Sequence, residues 1–181
     1  NIVGETLDEY IEAANRIRNR TEVSAIELNL SCPNVEGGLD FSQDPRKAFT
    51  VVREVKKVTS LPVWAKLSPN VTDITEVVRS TIDAGVDGVT LINTVLGLAI
   101  NRWTKRPALP RAVGGYSGPA IKPVALRMIW ETHKKFPKVP IIGVGGIHTT
   151  EDAIEFMLCG ASCIEIGSAN YTNPRVSIEI I

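Results

Sequence analysis

Short apolar segments rich in β-branched residues alternate with longer segments of helical periodicity along most of this chain, and this alternation is its most restrictive feature. The predicted strands are residues 24–30, 61–67, 87–92, 139–143 and 162–167. The predicted helices between them are residues 44–58, 72–84, 120–136 and 150–159. Strands that alternate with helices form right-handed βαβ units, so we expect a parallel sheet covered by helices.

Two architectures are built from such units, the open doubly wound sheet and the TIM (β/α)8 barrel. The dinucleotide fingerprint of many doubly wound folds is absent, because the glycines of residues 143–147 lack its final spacing. Polar residues and glycines instead gather at the C-terminal ends of the predicted strands, at Asn29, Lys66, Asn93, Gly145, Gly146, Gly167 and Ser168. Barrel enzymes place their active sites at this end of the strands, so we predict an α/β TIM barrel.

The number of strands predicts that the sequence covers part of a barrel. A stub at residues 1–4 and a helix at residues 6–19 precede the five strands, whereas a whole barrel has eight strands and about 250 residues. We expect residues 1–181 to be a single barrel domain running from about the end of strand 3 to strand 8, with the first strands and the last helix missing. A polar insert with proline and glycine, from about residue 96 to 118, interrupts the pattern.

Charge and cysteine content narrow the classes of partner and location. The chain has 20 Lys and Arg against 20 Asp and Glu, and this net charge of zero argues against nucleic-acid binding. No apolar run reaches the roughly 18 residues that span a membrane. Three cysteines with no repeated spacing are typical of a reducing cytoplasm. Cys159 and Cys163 have no Cys or His cluster around them, so we expect no metal site.

The segment from Asn29 to Asn34 carries two amides on either side of Cys32, where a strand runs into a loop. Amides offer paired donors and acceptors suited to a planar heterocycle with imide groups. The thiol could act as a nucleophile or general base if its pKa is lowered. The alternative, which the spacing alone favours, is that Cys32 is a small buried hydrophobic residue.

Lys66 and the glycines at the strand ends indicate a site for an anionic ligand. A lysine that closes an apolar strand needs an anion or an electron-rich ligand unless it lies on an exposed edge. Glycines end two successive strands, at Gly145 and Gly146 and then at Gly167 before Ser168, where backbone N–H groups and a following helix N-terminus suit a phosphate. Tight turns would also explain them. The turn at residues 117–123 adds backbone donors near the same rim.

The motifs LNLSCPN, AKLSPN, INT, GGYSGPAIKPVALRM, IIGVGGI and IGSAN, in this order, closely resemble those of the class 1 dihydroorotate dehydrogenases. These are FMN-dependent barrel enzymes of pyrimidine synthesis. The segments SGPAIKPVALRM and VEGG are more similar to those of class 1B than to those of class 1A. In class 1B, the catalytic subunit works with a second subunit that carries FAD and a 2Fe-2S cluster and passes electrons to NAD. The resemblance implies that the protein oxidises dihydroorotate to orotate and forms a homodimer. We expect it to bind neither nucleic acid nor a membrane.

The resemblance also implies a role for each matching residue. Cys32 corresponds to the base that takes the C5 proton of dihydroorotate while C6 delivers hydride to the flavin. The substrate contacts correspond to Asn29, Asn34, Asn93 and Thr94, of which Asn29 also touches the flavin. Lys66 matches the lysine near the N1–C2=O edge of the flavin. The remaining flavin contacts match Ile92 and Gly118, and the phosphate cradle matches Gly145, Gly146, Gly167 and Ser168.

Two other functions remain possible from the sequence. The dihydropyrimidine dehydrogenases share parts of AKLSPN and INT, but their working cysteine lies later, where this chain has Phe41, and their first motif ends in His where this chain has Asn34. A non-catalytic barrel remnant that binds a flavoprotein partner is the second alternative. The family's N-terminal substrate lysine and its Asn-rich substrate loop have no counterpart in these residues.

Overall fold

The computed structural model describes residues 1–30 and 41–180 and contains the predicted alternation. Its helices are α1 (Leu7–Ile17), α2 (Pro45–Val58), α3 (Ile74–Asp83), α4 (Lys122–Lys135), α5 (Thr150–Leu158), α6 (Ala169–Thr172) and α7 (Val176–Ile180). Its strands are β1 (Ile26–Asn29), β2 (Val63–Leu67), β3 (Gly88–Leu91), β4 (Val95–Leu98), β5 (Ile100–Asn101), β6 (Arg106–Pro107), β7 (Val113–Tyr116), β8 (Ile141–Val144) and β9 (Cys163–Glu165). Every predicted helix and strand is present, with ends within two residues of those expected.

Five strands form one parallel sheet in the order β1-β2-β3-β8-β9. The predicted stub extends it, because Ile2 bridges Leu28 in parallel and donates its N–H to the Glu27 carbonyl at 2.8 Å. All carboxyl ends of the strands therefore lie along one rim. This is the arrangement expected of consecutive units of a barrel.

One face of the sheet is apolar and packs against the helices. Leu28, Ala65, Val89 and Ile141 are in register across β1, β2, β3 and β8, and each is fully buried. Side chains alternate between the two faces of a strand, so the neighbours of these residues point to the other face. That second face carries polar side chains, including Glu27, Lys66, Thr90 and Glu165, and it borders the site.

Helix caps follow the sequence pattern. The Thr149 hydroxyl accepts the Asp152 N–H, and the Asp152 carboxylate accepts the Thr149 N–H, which forms a capping box at α5. Gly85 and Gly160 follow α3 and α5 with φ of 90° and 110°, as expected of helix C-terminal glycines. None of the helices in the described ranges is both long and apolar enough to cross a bilayer.

The insert contains secondary structure that the sequence did not predict. β4 pairs with β7 and β5 pairs with β6, both antiparallel. Most of these residues are exposed, and their glycines and prolines resemble those of an irregular loop. The short helices α6 and α7 were also not predicted.

Candidate functional site

A cavity of about 290 Å³ opens at the carboxyl rim of the sheet, between β3, β8 and β9. It is lined by residues predicted to form the site, namely Lys66, Ile92, Asn93, Thr94, Gly118, Gly145, Gly146, Gly167 and Ser168. Ser117, Ile121, Val144, Ile147 and Tyr171 complete the lining. The sequence did not assign these five individually, and the three apolar ones carry no chemical signature apart from that of a core.

The two predicted amides of β1 and the loop after β3 form a direct contact. The Asn93 Nδ2 donates to Asn29 Oδ1 at 2.9 Å, and the Thr94 N–H donates to Asn93 Oδ1 at 2.8 Å. The Asn93 N–H in turn bonds to the Leu67 carbonyl of β2 at 2.8 Å. Backbone and side-chain bonds thus hold Asn29, Asn93 and Thr94 in one cluster at the rim.

Asn70 supports this cluster from the loop after β2. Its Nδ2 donates to the Thr94 carbonyl at 3.1 Å and to Ser68 Oγ at 2.9 Å, while its Oδ1 accepts the Leu96 N–H at 2.9 Å. Asn70 belongs to the motif AKLSPN, but the sequence analysis gave it no role of its own. The signal was its place directly after a strand end, as for Asn29 and Asn93.

Lys66 lies on the polar face of the sheet and forms ion pairs that sequence reasoning missed. Its Nζ is 3.1 Å from Glu165 Oε2 and 3.8 Å from Glu27 Oε1. The lysine side chain is only 19% exposed, so it is not on an open edge. Both glutamates alternate with apolar residues in β1 and β9, a pattern that placed them on the sheet's second face without showing that they meet.

The two carboxyl groups around Lys66 differ in pKa. Burial alone would raise the pKa of Glu27, but hydrogen bonds from Thr90 and Glu165, the charge of Lys66 and a hydrogen bond from Asn1 together outweigh it and lower this pKa. The pKa of Glu165 is raised, first by burial and then by the interaction with Glu27, which Lys66 offsets only in part. Glu27 therefore ionises at a lower pH than an ordinary glutamate, and Glu165 ionises at a higher pH.

The glycines at the rim leave room for a ligand and supply free donors. A Cβ on Gly118 or Gly167 would meet no atom within 4 Å. The backbone N–H groups of Gly146, Gly167 and Ser168 donate to no residue within the described ranges. This combination of open space and unused donors fits an anionic group such as a phosphate.

Gly146 is required for a different reason. Its φ is 85°, and a Cβ there would lie 2.8 Å from the Gly118 carbonyl oxygen. Close approach of these two turns brings the loop after β8 against the start of α4. The contact is reinforced by Lys122, whose Nζ pairs with Asp152 at 2.7 Å and whose pKa is raised by hydrogen bonds to Asp152 and Glu155.

Some of the backbone donors just before α5, where a helix N-terminus was expected to help with the phosphate, bond to a side chain of that helix. The N–H groups of His148 and Thr149 donate to the Asp152 carboxylate at 2.8 and 3.0 Å, so they are already used. The backbone N–H groups of Gly146, Gly167 and Ser168, which line the cavity, donate to no residue in the described ranges. The phosphate site stays a prediction.

Cys32 and Asn34, the predicted base and one predicted substrate amide, lie outside the described residues. Ile92 is 2% exposed and lies in the apolar wall of the cavity, with its N–H bonded to the Val144 carbonyl at 2.9 Å. Residues 1–30 and 41–180 contain no group of three or more acidic, His or Cys side chains placed to hold a metal ion.

Comparison with known proteins identifies relatives over the whole chain. A family model described as "Dihydroorotate dehydrogenase" matches residues 1–181. A protein of Shouchella clausii named "Dihydroorotate dehydrogenase B (NAD(+)), catalytic subunit" is 52% identical over 182 residues, which covers 100% of this chain and 60% of the relative. A protein of the same name from Geobacter sulfurreducens is 50% identical and is matched over 59% of its length. The chain thus spans less than two thirds of these relatives.

Solved structures agree on the fold. The ligand-free dihydroorotate dehydrogenase of Eimeria tenella superposes with a TM-score of 0.81 at 21% identity, covering 99% of this chain and 57% of that structure. The complex of the Eimeria enzyme with ferulenol gives a TM-score of 0.79 at 22% identity, with 96% and 52% covered. The fold is that of a TIM barrel, as the strand-end pattern predicted.

Proposed function

Because the chain belongs to the dihydroorotate dehydrogenase family, we propose that it forms the flavin site and part of the substrate site of an enzyme that oxidises dihydroorotate to orotate. The observation that carries the proposal is the cavity at the carboxyl rim, where a polar cluster, a buried lysine and a set of open glycines meet. Pyrimidine synthesis is the pathway that the family's reaction serves.

The glycine loops fit the phosphate of FMN. Gly145, Gly146, Gly167 and Ser168 surround the end of the cavity where N–H donors are free and where Gly167 leaves open space. A phosphate bound there would accept hydrogen bonds from these N–H groups without displacing an internal hydrogen bond. Gly118 supplies further open space at the same end.

Lys66 and the apolar wall fit the ring system. Ile92 and Ile121 contribute apolar side chains to the cavity wall, and the Lys66 ammonium group would lie near the edge of the ring that becomes negative on reduction. FMN, when bound, supplies the two-electron acceptor that takes the hydride from C6 of dihydroorotate. The lysine stabilises the extra negative charge that reduction creates.

The asparagine cluster suits the substrate. Asn29, Asn93 and Thr94 present amide and hydroxyl groups that match the ring amides and the carboxylate of dihydroorotate, and Asn34 would add another amide. We assign Cys32 as the base that takes the C5 proton while the C6–H bond delivers hydride, so that the ring loses one proton and one hydride. The thiolate would become a thiol on taking this proton, and solvent would then remove the proton to restore the thiolate.

The subunit arrangement is part of the proposal. The relatives at about 50% identity are named catalytic subunits of an NAD(+)-linked enzyme. We infer that this chain belongs to a homodimer of the class 1B kind, with FAD and a 2Fe-2S cluster on a partner subunit. The three cysteines of the sequence support a cytoplasmic location.

The test uses the whole protein that carries this chain, purified and examined under anaerobic conditions. We expect a flavin absorption spectrum, release of FMN on denaturation, and bleaching by dihydroorotate but not by dihydrouracil. Bleaching by dihydrouracil would instead favour the dihydropyrimidine dehydrogenase alternative. A protein that neither carries nor takes up flavin would be a non-catalytic remnant, and the proposal would be wrong.

A further inference from the structure

Lys66, Glu27 and Glu165 form a cluster that spans the polar face of the sheet. Glu27 lies on β1, Lys66 on the adjacent β2, and Glu165 on β9, which β3 and β8 separate from β2. Lys66 nevertheless reaches Glu165 at 3.1 Å, because the sheet curves and its polar face is concave. The cluster therefore lies directly beside the cavity that Lys66 lines.

The two glutamates that pair with Lys66 differ in exposure and in the hydrogen bonds that hold them in place. Glu27 is 13% exposed, and its Oε2 accepts the Thr90 hydroxyl at 2.6 Å while Asn1 donates to its other oxygen. Glu165 is 37% exposed; its Oε2 accepts a hydrogen bond from Lys66 Nζ at 3.1 Å, and its carboxyl group also interacts with that of Glu27. Glu27 is thus a fixed counter-charge, and Glu165 is the adjustable one.

We propose that Glu165 is a positioning residue that controls how much of the Lys66 charge is available to a ligand in the cavity. When Glu165 is ionised, Lys66 is shared between two carboxylates, and the three side chains carry a net charge of −1. When Glu165 is protonated, the net charge is zero and Lys66 has only Glu27 as a full partner. This inference rests on the proposed flavin site, because a reduced flavin is the anion that Lys66 would face.

The neighbouring groups support this assignment. In the described part of the chain, the charged or titratable side chains that face Glu165 are Glu27, Lys66 and Cys163, whose thiol has its pKa raised by burial and by Glu165. β8 contributes the apolar residues Ile142 and Val144 to this face. The raised pKa of Glu165 brings its titration closer to neutral pH than that of an ordinary glutamate.

The experiment measures the two-electron midpoint potential of bound FMN against pH in the whole protein and in Glu165→Gln. A negative charge beside the flavin disfavours the reduced anion, so the parent potential should fall by an additional step as pH rises through the pKa of Glu165. Glu165→Gln should lack this step and should have a higher potential above it. We expect a shift of about tenfold in the reduction equilibrium, which is about 30 mV for two electrons.

Two variants serve as controls. Glu155→Gln removes a carboxylate that pairs with a different lysine, Lys122 at 2.9 Å, and should leave the potential and its pH profile unchanged. Glu165→Asp retains the charge and should retain the step. If Glu165→Gln does not fold, the midpoint potential of the parent protein against pH still tests the proposal, because the proposal requires the additional step in that curve.

The outcomes separate this inference from the proposed function. Bound FMN that is reduced by dihydroorotate, with the same potential and profile in the parent and in Glu165→Gln, overturns the role of Glu165 and leaves the function intact. A parent protein without flavin overturns both. A parent profile without the additional step also overturns the inference.

Discussion

Glycines serve two different purposes at the rim of the cavity. Gly146 is a packing requirement, since a Cβ there would press on the backbone of Gly118. Gly167 is not, because its φ is ordinary and the space beside it is open. Substitution at Gly146 would therefore confuse folding with binding, whereas substitution at Gly167 tests binding alone.

Gly167→Asp should yield folded protein that lacks FMN. The carboxylate would occupy the open space and repel the phosphate from the free N–H groups of the loop. Gly167→Asn has nearly the same size without the charge and should weaken FMN binding less, and Gly167→Ala less again. The measurement is the FMN content of the purified protein together with its thermal unfolding. Equal FMN content in the Asp variant and the parent would rule out a phosphate at this loop.

Asn70→Ala should raise the KM for dihydroorotate about three- to tenfold and leave FMN bound, because it removes the bonds that hold Thr94 and Leu96 in place. A matched control is Asn101→Ala, which removes an asparagine that accepts the N–H groups of Trp103 and Thr104 in the exposed insert. We expect no change in KM for the control. An unchanged KM in Asn70→Ala would mean that Thr94 does not need this support or does not touch substrate.

At the scale of elements, Asp87 joins three of them. Its Oδ2 accepts the Lys56 Nζ of α2 and the Val63 N–H of β2, both at 2.7 Å, at the start of β3. Burial raises its pKa, but these hydrogen bonds and the charge of Lys56 outweigh the burial and lower the pKa below the usual range. A carboxyl group with a lowered pKa in the folded state stabilises that state above its unfolded pKa.

The free energy of unfolding should therefore fall as pH drops below about 4, the ordinary pKa of Asp, and through the lower pKa of the folded state. Asp87→Asn should lose about 1 kcal/mol at neutral pH, since its side chain is 43% exposed and solvent weakens the pair. Its free energy of unfolding, measured with urea, should also fall less steeply as the pH is lowered. Glu22→Gln removes an exposed carboxylate and serves as the control. Free energies of unfolding that fall equally steeply with pH in Asp87→Asn and the parent would contradict this account.

The sequence predicted those elements whose periodicity is set by a core. α2 shows this, because its buried residues Ala48, Val51, Val52 and Val55 follow the helical repeat that the pattern displayed. The ladder of β4 with β7 could not be predicted in this way, since none of its residues is buried and its strands are separated by residues 99–112, which contain β5 and β6. Backbone pairing without burial leaves little trace in composition.

Part of the candidate site was predictable for a similar reason. Asn29, Lys66 and Asn93 are polar residues at the ends of apolar strands, and parallel strands bring such ends to one rim. Glu27 and Glu165 could not be paired with Lys66 from sequence, because that contact depends on the curvature of the sheet across β3 and β8. Curvature is a property of the assembled strands rather than of any one of them.

At the scale of the whole molecule, the parallel sheet brings residues that are far apart in sequence, such as Asn29 and Asn93, into contact at its carboxyl rim. The glycine loops line the same cavity as Asn93. The proposed oxidation of dihydroorotate needs both features at once, because the hydride leaves toward the flavin while the proton leaves toward a base.

The most direct test of this account is the rate at which dihydroorotate bleaches the bound flavin without oxygen, as a function of pH, in the parent protein and in Cys32→Ala. If Cys32 takes the proton, Cys32→Ala should be slower by about 10²–10⁴, the usual contribution of a general base. Cys32→Ser should be active mainly at higher pH, since a hydroxyl is a far weaker acid than a thiol of pKa about 8.5. Orotate should still bind both variants through the asparagine cluster. Bleaching of Cys32→Ala as fast as that of the parent at every pH would contradict the account.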